Sequence, residues 1–96
     1  MAVYMLFIRE DPIRDQAAME TYRGTNRQGP RDPNMKVLSA YGAIEAIEGK
    51  APDGIVMLQF PTVEDAKAWY HSPSYQAAMQ HRLKAADYRV MIVQGL

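Results

Sequence analysis

Three stretches of this chain are apolar at odd and even positions alike: AVYMLFI (2–8), IVMLQF (55–60) and VMIV (90–93). Successive side chains of a strand point to opposite faces, so strands of this kind need covering on both sides. A sheet packed on one side and wet on the other alternates apolar with polar residues instead. Yet 96 residues build one small core and no second one, so the chain is expected to be a single domain over 1–96. Left wet, the second face would be a large apolar patch of a kind monomers rarely carry. A second copy of the chain, packed sheet to sheet, is the expected cover; a monomer with tolerated apolar surface is the alternative.

The punctuation between these stretches sets the rest of the architecture. Asp11-Pro12 reads as a helix N-cap followed by proline at the first helical position. The helix it starts carries Ala18, Met19 and Tyr22 on one face and fades near Gly24. The run GTNRQGPRDPN (24–34), with two glycines and two prolines, reads as a loop. KVLSAY (36–41) and AIEAIE (43–48) read as extended segments broken around Gly42, and GKAPDG as a turn. Thr62 caps a helix carrying Val63, Ala66 and Tyr70, with Asp65 three residues on. Ser72-Pro73 repeats the cap-plus-proline signal, so a second helix starts there and runs to about Ala86. YRVMIV (88–93) closes the chain as a strand. The order β-α-β-β-α-β, with its second helix split, is the ferredoxin-like α+β pattern: a four-stranded antiparallel sheet with its helices on one face.

Composition excludes several functions. Eleven basic residues balance eleven acidic ones, so no net field draws in nucleic acid or an anionic membrane, and neither is an expected partner. With no cysteine there is no disulfide or thiolate chemistry. The apolar opening lacks a basic n-region and a cleavage site, and no run nears the roughly 20 apolar residues of a membrane helix. A cytoplasmic, soluble protein is the expectation. The chain contains no P-loop, G-x-G-x-x-G, G-x-S-x-G or H-E-x-x-H pattern, so neither cofactor nor metal is expected.

What remains is a constellation in WYHSPSYQAAMQHR (69–82). On a helical wheel Tyr75, Ala78, Met79, Arg82 and Ala86 share a face. Arg82 thus sits in an apolar stripe, where an unpaired guanidinium is costly. It either grips an anion, carboxylate or phosphate, at the edge of a cavity, or forms a salt bridge to Glu48 or Asp87, the commoner fate of a half-buried arginine. Tyr75 would orient a ligand or simply fill the core, and Trp69 would seal the joint between helix and sheet. His71, near a helix C-terminus, and His81, on the side of its helix, are candidate proton carriers or surface residues. Arg23, Arg27 and Arg31 punctuate the loop region as a further anion grip or as scattered solvated charge. Met5, Met57 and Met91 would line an adaptable pocket or fill the core.

The pieces Glu48-Gly49, Phe60-Pro61, Ala68-Trp69-Tyr70, Ser72-Pro73 with Tyr75-Gln76, Arg82 and Gln94-Gly95 closely resemble the second half of the DUF1330 family. YMLFIR and Tyr41-Gly42 extend the resemblance more loosely. Where members of that family often carry a Gly-Gly pair after the first helix, this chain has the longer loop through Arg31-Asp32-Pro33. The resemblance implies a dimeric α/β barrel, two ferredoxin-like subunits with facing sheets. Related barrels include cofactor-free monooxygenases, haem-dependent enzymes, lactone isomerases and plain binding modules, and fold alone does not choose among them. Two readings follow. One is a homodimer with a small-molecule pocket acting on a small organic acid or aromatic metabolite, held by Arg82, Tyr75 and Trp69, with His71 or His81 moving a proton. The other is a non-enzymatic ligand-binding or stress-associated module.

Overall fold

The computed structural model describes residues 2–29 and 31–96. Strand β1 (Val3–Arg9) is followed by helix α1 (Gln16–Gln28), then strands β2 (Lys36–Ala40) and β3 (Gly54–Phe60). Helices α2 (Val63–Tyr70) and α3 (Pro73–Ala85) lead to strand β4 (Tyr88–Gln94). The strands form one antiparallel sheet in the order β2-β3-β1-β4, the ferredoxin-like arrangement that the sequence predicts.

Strand parity divides the sheet into two faces. Val3, Met5 and Phe7 of β1, with Leu58 and Phe60 of β3, are buried against Met19 and Tyr22 of α1, Ala66 of α2, and Tyr75, Ala78 and Ala85 of α3. The alternate residues Tyr4, Leu6 and Ile8 are only half-buried. Leu6 lies opposite Met57 on one side and Met91 on the other, and Ile8 opposite Ile55. The outer face is therefore apolar at its centre, around Leu6, Met57 and Met91, with Gln59 and Arg89 farther out. Met5, by contrast, faces the helices; it borders a groove beside β4 together with Met91, and Met57 does not line that groove.

The caps at Thr62 and Ser72 form as read. Each side-chain oxygen accepts the backbone N–H three residues on, from Asp65 and Tyr75 respectively. The first helix differs. Asp15, not Asp11, is its N-cap, accepting from the Ala18 N–H at 3.0 Å. The backbone amides of Arg14 and Asp15 both donate to the carbonyl of Ala85, which fastens the approach to α1 onto the end of α3 and delays the helix start. The helix also runs through Gly24 to Gln28. A mid-helix glycine costs only about 1 kcal/mol, and burial of Met19 and Tyr22 outweighs it. The first part of the stretch read as a loop, 24–28, is helix. Residues 43–48, read as extended, form no strand and lie exposed. Tyr41 donates its N–H to Ile55 and then adopts a left-handed backbone (φ 56°), which turns the chain off the sheet edge.

Candidate functional site

A cavity of about 280 Å³ opens between α1, the β2–β3 side of the sheet and Trp69. Phe7, Met35, Val37, Val56, Leu58 and Trp69 make its apolar walls; Tyr22, Arg23, Asn26 and Arg27 of α1, with Tyr41, supply its polar groups. Arg23 and Arg27 are four residues apart, as are Tyr22 and Asn26, so each pair stacks on successive turns of one helix face. Reading Gly24 as a helix end hid this spacing and made the two arginines look like scattered loop charge. Arg31 lies outside this cavity, in the segment after α1, beside a shallow groove with Asp32 and Ser72.

Of the residues singled out from the sequence, Trp69 stands in the cavity wall, its ring centroid 4.2 Å from that of Tyr75 and 6.3 Å from that of Phe7. Tyr75 and Arg82 stand one layer behind. Tyr75 is 2% exposed and shares a hydroxyl–hydroxyl hydrogen bond of 3.0 Å with Tyr22. Arg82 is 3% exposed, its guanidinium 5.7 Å from the ring centroid of Phe7 and 5.0 Å from that of Tyr88. The salt bridge considered for Arg82 is not made. Asp87 pairs with Arg14 at 3.0 Å, and Glu48 is exposed in the irregular segment. Among the described residues Arg82 has no carboxylate partner, and its buried Nε has no hydrogen-bond acceptor. His71 caps α2 and borders a separate groove beside β4, with Met5, Tyr70 and Ile92. His81 is half-buried on α3 and lines neither space.

Around Arg82 the structure assembles groups that the sequence did not connect. The Tyr41 and Tyr88 hydroxyls are 2.7 Å apart. The Tyr41 ring lies between the guanidiniums of Arg9 (5.5 Å) and Arg23 (5.6 Å). It rests on the bare backbone of Gly54, where a Cβ would come within 2.9 Å of its ring. Arg9 Nη1 reaches the Tyr88 hydroxyl at 3.4 Å, and its buried Nε is unpaired like that of Arg82. Burial raises the pKa of Tyr22, Tyr41 and Tyr75, against the pull of nearby arginines, so all three stay protonated at neutral pH. Among the described residues no three carboxylate or histidine side chains gather as a metal site, and no helix is long and apolar enough to cross a membrane.

The family model described as "Domain of unknown function (DUF1330)" matches residues 3–96. The chain belongs to the DUF1330 family. Solved structures share the fold of this DUF1330 chain at low identity. A protein of unknown function from Rhodopseudomonas palustris matches with a TM-score of 0.67 at 20% identity, over 99% of this chain and 82% of that one. A dimeric ferredoxin-like protein of unknown function from Jannaschia sp. CCS1 matches with a TM-score of 0.68 at 14% identity, over 99% and 100%. A dimeric ferredoxin-like protein of unknown function from Bacteroides fragilis NCTC 9343 matches with a TM-score of 0.63 at 12% identity, over 98% and 96%. No curated protein matches the chain.

Proposed function

We propose that this DUF1330 protein is a homodimeric binding protein for a small organic acid, one ligand per subunit. The observation that carries the reading is the composition of the cavity: apolar and aromatic along the sheet, with Arg23, Asn26 and Arg27 on one helix face. Apolar walls with a few convergent polar groups are the usual make-up of a small-molecule site. At about 30 Å³ per water molecule the space holds on the order of nine waters, or a ligand of about a dozen heavy atoms. A carboxylate bridging Arg23 and Arg27 would meet two guanidinium forks, and Trp69 and Phe7 would cover an aromatic body. Binding without turnover is favoured because the residues lining the cavity include no histidine and no carboxylate, and Tyr22 and Tyr41 hold their protons. That leaves no base at neutral pH.

The dimer rests on the apolar outer face around Leu6, Met57 and Met91 and on the neighbours described as dimeric. The cavity lies on the opposite, helix-covered side, so a partner on the outer face leaves it open. Trp69 is the only tryptophan, and its fluorescence reports the cavity directly. Benzoate is expected to change it saturably, the neutral isostere benzamide to bind about tenfold more weakly or worse, and the R23A/R27A double variant to erase the difference. Equal responses to acid and amide, or no saturable response to either, would refute the reading.

A further inference from the structure

We infer that the cavity reads a second anionic group at its inner end, so that its ligands are aromatic dicarboxylic acids. The inference rests on the organic-acid reading above and is carried by hydrogen-bond arithmetic. The Tyr22–Tyr75 pair is buried and holds two hydroxyl protons, but its one mutual bond uses only one. Neither hydroxyl has another hydrogen-bond acceptor among the described residues, so one buried O–H donor is left over. The Tyr41–Tyr88 pair also makes one mutual bond, and Tyr88 accepts from Arg9 besides, which leaves a second spare donor.

The surroundings repeat the imbalance. Arg82 and Arg9 approach the same aromatic cluster with unpartnered Nε atoms, and the ion pairs among the described residues engage neither of them. Both arginines at this end carry a charge that no carboxylate among the described residues offsets. A neutral hydroxyl could accept from the spare O–H groups but brings no charge; a carboxylate accepts from them and supplies the missing negative charge. Tyr22 and Tyr41, one from each pair, stand in the cavity wall. Tyr22 precedes Asn26 by one turn of α1, about 6 Å along the axis. That is the scale on which a benzene ring separates its para substituents.

Trp69 fluorescence titrations with benzoate, terephthalate and 4-hydroxybenzoate at neutral pH test this. Terephthalate is expected to bind at least about tenfold more tightly than benzoate and than 4-hydroxybenzoate. Tyr22→Phe is expected to remove most of that gain, whereas Tyr75→Phe, which leaves Tyr22 its one free proton, is expected to keep it with benzoate affinity within about twofold, which also shows that the cavity survives. Equal affinities for benzoate and terephthalate, or preference for the hydroxy acid, would overturn the second-anion inference and leave the organic-acid reading standing. A gain that persists in Tyr22→Phe overturns it too. Failure of all three acids to bind removes the organic-acid reading and this inference together.

Discussion

Replacing Arg82 with methionine should make the ligand-free protein more stable. The side chain is 3% exposed, carries a full charge, and faces no carboxylate among the described residues. Taking such an ion out of water costs several kcal/mol even after relaxation. The rings of Phe7 and Tyr88, at 5.7 and 5.0 Å, return about 0.5–2 kcal/mol each. The balance leaves a net cost of about 1–3 kcal/mol, which methionine avoids while filling a similar length of the stripe with an adaptable thioether. At about 4–8 °C per kcal/mol for a domain of this size, the variant should melt roughly 4–24 °C higher. Calorimetry at one fixed protein concentration, without ligand, is the assay, because assembly makes Tm concentration-dependent. A variant that melts several degrees lower would refute the reasoning. The guanidinium would then be holding the helix layer together, and its lack of an anion would carry no functional meaning.

Other outcomes follow from separate parts of the molecule. Leu6→Glu sets a charge between Met57 and Met91 on the outer face and should convert a dimer to a monomer in sedimentation velocity; an unchanged mass would remove that face from the assembly. Gly54→Ala places a Cβ 2.9 Å from the Tyr41 ring, which should displace it and cost about 1–3 kcal/mol in urea unfolding, as overpacking does. A loss too small to detect would show that the ring has room to move. Stability should also fall in alkali. Tyr22, Tyr41 and Tyr75 have pKa values raised above the ordinary 10.0 by burial, so the folded state keeps protons that the unfolded chain releases. Their contribution is complete below about pH 10 and is lost as pH rises beyond it. Urea midpoints from pH 8 to 11, with tyrosinate absorbance followed alongside, check this. A flat profile would contradict it.

The elements legible in the sequence are those whose cause is local. A Thr or Ser cap needs only an oxygen and an amide three residues on, and Thr62 and Ser72 form as their spacing implies. The two-faced strands are equally plain, because side-chain parity is a property of the backbone. Both ends of the first helix depart from the local signals because its limits are set from a distance. Its start depends on Ala85, some seventy positions away in the chain, and its passage through Gly24 on packing that propensity does not record. The candidate site is hidden in the sequence for the same reason. Arg82 is visible as an arginine in an apolar stripe, and Trp69 as an aromatic beside it. Tyr22, Tyr41 and Tyr88 join them from three other parts of the chain only when it is folded, and Arg23 and Arg27 align only once their segment is helical.

The parity of β1 has a further consequence. Its odd-numbered residues Val3, Met5 and Phe7 meet the helices, and Phe7 borders the cavity, while its even-numbered residues Tyr4, Leu6 and Ile8 look outward. One seven-residue strand therefore answers to two separate selections that share no side chain. The cavity wall can change at Phe7 while the outer surface stays fixed, and the outer surface can be recut at Leu6 without disturbing the cavity. What the strand cannot absorb is a change in its length. One residue gained or lost within it would exchange the two sets, so β1 should tolerate substitution far better than insertion over evolutionary time.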